Sequence, residues 1–107
     1  MYNYFRGLVL PRIEEELDLS LELFEPTKYK VLLHNDDYTT MDFVVDVLTN
    51  IFHKSMDEAE MVMITIHKSG KGVCGIYTYE IAQTKVYQVK QLAKRSGFPL
   101  LATVEEE

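Results

Sequence analysis

A chain of 107 residues, 47% apolar and 26% charged, is one domain's worth of ordinary globular protein. It can hide only roughly 65% of its unfolded surface, enough for one modest core. Seventeen acids against eleven bases leave a net charge of −6; that field repels phosphate backbones, and the lysines are scattered, so general nucleic-acid binding is excluded. Apolar runs of a few residues fall far short of the ~20 that cross a bilayer. A single cysteine, Cys74, allows neither an internal disulfide nor a cysteine-cluster metal site. The start, MYNYFRGLVLPRIEEELD, lacks the layout of a secretory signal and is too acidic for a transit peptide, so a cytoplasmic protein is expected.

Residues 1–27 hold two arginines against six acids and read as an acidic, flexible extension. Within them Leu17, Leu19, Leu21 and Leu23 alternate with polar residues, which also fits an edge strand or a segment that pairs with a partner. Pro26 marks the boundary to the domain proper, residues 28–107. Tyr29 to Asn35 is a strand rich in apolar residues that runs into an Asn-Asp-Asp turn. Thr39 or Thr40 caps a helix, with Asp42 in its first turn. Met41, Val44, Val45 and Leu48 recur along that helix at helical spacing. Ser55 and Glu58 form a capping box for a second helix through Ala59, Val62, Met63 and Ile66, which SGKG (Ser69 to Gly72) stops. Val73 to Tyr79 reads as a strand, Tyr79 to Ser96 as a long amphipathic helix ended by Gly97, and Leu100 to Val104 as the last strand. This β-α-α-β-α-β order predicts an α+β two-layer sandwich, with three helices on one face of a three-stranded antiparallel sheet.

No phosphate loop, nucleophile elbow or histidine pair at ligand spacing is present, and His34, His53 and His67 fall on three different elements. No cofactor or metal is expected. The informative stretch is residues 34–41, HNDDYTTM. Asn35, Asp36 and Asp37 suit an ordinary turn, yet they also cluster carboxylates next to a helix start, with Met41 just beyond. On the second helix Met63 and Ile66 share a face and His67 borders it. Periodicity alone equally makes Met41, Met63 and Ile66 plain core. If the two segments meet, they form a methionine-lined hollow rimmed by Asn, Asp and His, the anatomy of a small-ligand or peptide-end pocket.

The stretches YKVLLHNDDYTTMDFVVDVL, GKGVCGIYTYEIAQTKV and FPLLATVEE resemble the ClpS family, adaptors of the Clp ATP-dependent protease, over roughly residues 28–105. The resemblance implies a non-enzymatic receptor for N-degrons, proteins whose first residue is Leu, Phe, Tyr or Trp, handed to the ClpA unfoldase for degradation by ClpP. By position, Asn35, Asp36 and His67 match residues that hold the substrate's α-amino group and first peptide bond, with Asp37 and Thr39 at the rim. Met41, Val44, Met63, Ile66 and Leu100 match the side-chain pocket. Tyr38, Glu80 and Lys85 match positions that dock, on the opposite side, on the unfoldase's N-terminal domain. A monomer is expected.

The chemistry of those residue types agrees. An ammonium wants charged acceptors, each worth about 1.5–3 kcal/mol, and burying a Leu or Phe side chain adds roughly 1.5–3 kcal/mol. Protonation of His67 would compete with the ammonium, so acid should weaken binding. The family commonly has Pro where this chain has Thr40, which predicts a slightly looser first turn. It often has Val at position 66, so Ile66 should narrow the pocket by one methylene. Two other readings fit the element order or the residues: a ribosomal-stalk-like interaction domain, and a small hydrolase using Asp36 and His67.

Overall fold

Strand β1, Lys28–His34, forms because apolar residues crowd one short stretch whose alternate side chains can enter a core. In the computed structural model, which describes residues 26–107, Val31 and Leu33 are fully buried on one face of the strand. The strand is central in the order β2-β1-β3, antiparallel to both neighbours, so its backbone groups find partners on both sides. Strand β2 is Lys71–Thr78 and β3 is Leu101–Glu106. Helices α1 (Met41–Asn50) and α2 (Met56–Ser69) lie between β1 and β2 in sequence, and α3 (Tyr79–Ser96) lies between β2 and β3. The expected two-layer α+β architecture is observed. All of residues 1–25, including the leucine alternation, lie outside the described residues; of the expected extension only Pro26 and Thr27 are described, and both precede β1.

Each helix starts and stops where local chemistry directs. Thr40 is the N-cap of α1, and its hydroxyl accepts from the Phe43 N–H at 3.1 Å. Thr40 is therefore not the first helical residue, and the looser first turn expected from the lack of proline is replaced by a bond that proline cannot make. Ser55 and Glu58 form the predicted capping box on α2. Gly70 (φ 90°) and Gly97 (φ 80°) end α2 and α3 in the left-handed conformation, where a side chain would be strained.

The strand boundaries shift from their sequence expectation because pairing, not propensity, sets them. β1 ends at His34, and the next N–H, that of Asn35, donates to the Gly70 carbonyl at 2.8 Å on the β2 side. β2 begins two residues early, since Lys71 and Gly72 pair with His34 and Leu33. The register then slips between Val31 and Leu32, opposite Cys74, a bulge that turns Cys74 into the core. β3 runs from Leu101, which leaves Leu100 buried just ahead of it. The core joins Val31, Leu33 and Cys74 to Val47 and Leu48 of α1, Ala59 and Ile66 of α2, and Ala82, Val89 and Ala93 of α3.

Candidate functional site

The loop from β1 to α1 is organised by one carboxylate. Asp36 Oδ1 accepts from the Tyr38 N–H at 2.8 Å and the Thr39 N–H at 2.6 Å, and its Oδ2 accepts from the Thr39 hydroxyl at 2.7 Å. Partial burial pushes the Asp36 carboxyl up, but the Thr39 hydroxyl, the Thr39 N–H and the Tyr38 N–H together outweigh it and hold the group below the usual carboxylate value. The carboxylate stays ionised. Three of its roughly four lone-pair directions are used, which leaves one for a ligand. The Asn35–Gly70 bond ties the other end of this loop to the end of α2.

That tie brings the two informative stretches of sequence together. They enclose a hollow of about 290 Å3 lined by Asn35, Asp36, Asp37, Thr39, Met41, Val44, Met63, Ile66 and His67. This sits at the small end of ligand pockets, which span ~300–1,000 Å3, and suits a residue-sized group. Val44 and Ile66 form a buried floor continuous with the core, whereas Met41, 47% exposed, stands at the lip. Asn35, Asp37 and His67 are exposed at the mouth, and among the described residues the hydrogen bonds of the loop leave their side chains uncommitted. Two adjacent carboxylates over an apolar floor suit a ligand that carries a cation beside a greasy side chain.

Nine of the ten residues expected at the pocket thus line it. The tenth, Leu100, does not: it is buried in the core and borders a separate depression of about 510 Å3 between α3 and β3. That hollow is larger but lacks carboxylates, so volume alone does not identify the site. The three expected docking positions do not form one patch. Glu80 lies in the first turn of α3, just past Thr78, which pairs with Lys28, whereas Tyr38 lies beyond the His34 end of β1. A seven-residue strand, roughly 20 Å long, separates them. Tyr38, 78% exposed, belongs to the pocket loop. Lys85 lies in the second turn of α3, where its Nζ donates to the Ile51 carbonyl at 2.7 Å and sits 5.8 Å from the Tyr77 ring centroid.

One neighbour of the pocket escaped sequence reasoning. Gly72 on β2 lies directly behind Ile66: a Cβ built on it would stand 2.8 Å from Ile66 Cγ1. The sequence offered no signal beyond a second glycine in SGKG. Among the described residues, no group of three His, Cys, Asp or Glu side chains is placed to hold a metal ion, and no helix is long and apolar enough to cross a membrane.

Fold and site together describe a small α+β domain with a hollow whose chemistry suits a cation beside an apolar group. Comparison with known proteins agrees. The sequence profile of the ClpS family, "ATP-dependent Clp protease adaptor protein ClpS", matches residues 24–103. The Clp protease adapter protein ClpS of Wolinella succinogenes is 56% identical over 93 residues, covering 87% of this chain and 91% of the relative. That of Desulforapulum autotrophicum is 50% identical, covering 91% and 95%. The solved structure of Agrobacterium tumefaciens ClpS2 bound to L-phenylalaninamide superposes with a TM-score of 0.75 at 43% identity, over 78% of this chain and all of that one. The chain belongs to the ClpS family of adaptors of the ATP-dependent Clp protease. It is an adaptor rather than an enzyme, which displaces both the hydrolase and the ribosomal-stalk readings.

Proposed function

We propose that the hollow holds the first residue of a polypeptide, its side chain on Val44, Met63 and Ile66 and its free α-ammonium among Asn35, Asp36, Asp37 and His67. The observation that carries this is the meeting of an ionised, loop-held carboxylate with a residue-sized apolar hollow. The ligand bound by the Agrobacterium relative, L-phenylalaninamide, supports the reading chemically. It pairs a free amine with a benzyl group and replaces the carboxylate by an amide, as the first residue of a chain does.

Substrates are N-degron proteins that begin with Leu, Phe, Tyr or Trp, delivered to the N-terminal domain of a ClpA-type unfoldase for degradation by ClpP. Glu80 and Lys85, on the first turns of α3, supply one docking face, and the exposed Tyr38 ring supplies a second contact from the pocket loop. The net charge of −6 favours a monomer, and a lone buried thiol suits the reducing cytoplasm.

Charge-assisted bonds of about 1.5–3 kcal/mol and side-chain burial of similar size both favour such a ligand. Fluorescence anisotropy with labelled peptides that differ only in residue one tests this. Peptides beginning with Leu or Phe bind, and the Val twin, whose branched Cβ meets the Met41 lip, binds at least tenfold more weakly. Equal binding of all three would refute the assignment of the hollow.

A further inference from the structure

The contact between Gly72 and Ile66 concerns how deep the pocket is. Gly72 is buried in β2, paired with Leu33, and α2 crosses above it. A methyl carbon at its Cβ position would lie 2.8 Å from Ile66 Cγ1, 3.6 Å from the Val62 carbonyl oxygen and 3.7 Å from Ile66 Cδ1. Carbon atoms pack at about 3.5–4.0 Å, so the first distance is too short by roughly 0.7 Å. The atom involved is the branch-point neighbour of a β-branched side chain, whose rotation is restricted in a helix. Ile66 is 2% exposed and packed into the core; the hollow is the side on which space remains.

We infer that Gly72 is a positioning residue that sets the depth, and hence the size selectivity, of the first-residue pocket. It does so by letting Ile66 seat back against β2. The extra methylene of Ile66, which the sequence alone would place as a narrowing of the pocket, is accommodated by the missing Cβ behind it. Residues 66 and 72 then act as a coupled pair: bulk added at 72 is delivered into the pocket through 66. Gly72 itself does not line the hollow. This inference rests on the proposed reading of the hollow as the first-residue pocket.

The test is a mutant cycle of wild type, G72A, I66V and G72A/I66V, each titrated with free-amine peptides beginning with Leu, Phe and Trp. In G72A the displaced isoleucine shortens the pocket, and affinity for the Phe and Trp peptides falls on the order of tenfold relative to the Leu peptide, the scale of one methylene in a closed pocket. In G72A/I66V the same displacement carries one methyl fewer into the hollow, and the ranking recovers part of the way to that of wild type. General damage to the fold lowers all three affinities together and leaves the ranking unchanged, so the ranking reports the pocket. If G72A does not fold, I66V against G72A/I66V gives the same comparison, and the double variant then ranks Phe and Trp lower than I66V does. An unchanged ranking in G72A, or no recovery in G72A/I66V, overturns the role of Gly72 while the pocket reading stands. Failure of the wild type to bind any free-amine peptide overturns both.

Discussion

Asp36 is assigned two tasks that can be separated by substitution. Its carboxylate holds the loop through two backbone N–H groups and the Thr39 hydroxyl, and its charge faces the proposed ammonium. Asp36→Asn keeps one carbonyl oxygen for the N–H groups, and the Thr39 hydroxyl can reverse its role and accept from the new amide. The loop survives but the charge is lost. The remaining lone pair of the carboxylate lies on Oδ2, which becomes an amide NH2 that cannot accept from an ammonium, so a charge-assisted bond of about 1.5–3 kcal/mol is lost and binding of a Leu-initiated peptide weakens roughly tenfold or more. Asp36→Ala removes three bonds of about 1 kcal/mol each, so it adds a stability loss of roughly 2–3 kcal/mol that Asp36→Asn lacks. Anisotropy titration beside denaturant unfolding separates the effects. Unaltered affinity in Asp36→Asn would show that the charge faces no cation, and the account of the site would fail.

Three further outcomes follow from the same geometry. The Asp36 carboxyl sits below its reference value of 3.8 in the folded protein, so its contribution to stability is present above that value and is lost as pH falls through the lower, folded value; unfolding curves recorded between pH 6 and 2 should show this slope in wild type and lose it in Asp36→Asn. Burial pushes the Cys74 thiol up to about 12, so native protein should resist alkylation at pH 8 while unfolded protein reacts; rapid labelling of the native form would contradict its placement in the core. Thr40→Ala removes the α1 cap bond and should cost about 1 kcal/mol in chemical unfolding, where a value near zero would mean that the cap contributes nothing.

How much of this was written in the sequence depends on whether a feature is local. The Ser55–Glu58 box and the glycines that end α2 and α3 are set by their own few residues, and they stand where expected. The pocket residues from Asn35 to Val44 and from Met63 to His67 were legible as two chemically unusual stretches. Their meeting came only with the family resemblance and not from the residues themselves, because it depends on the Asn35–Gly70 bond between segments 35 residues apart. The position of Leu100 was not legible for a related reason. A buried leucine just ahead of a strand can face either side of the core, and only the packing of β3 against α3 decides it. Tyr38 and Glu80 were grouped although β1 holds them at opposite ends, since adjacency across a sheet cannot be read along the chain. Gly72 was invisible because its effect is the absence of a side chain behind another residue.

The central claim is that the site reads a free α-ammonium together with an apolar first residue. It is tested most directly by titrating one Leu-initiated peptide and its N-acetylated twin against the intact protein. Acetylation leaves the side chain unchanged but strands the Asp36 carboxylate without its cation, and the account predicts a loss of about 2–5 kcal/mol, thirtyfold or more. Equal affinity of the two peptides would mean that the hollow binds a side chain alone, and the first-residue mechanism would be wrong.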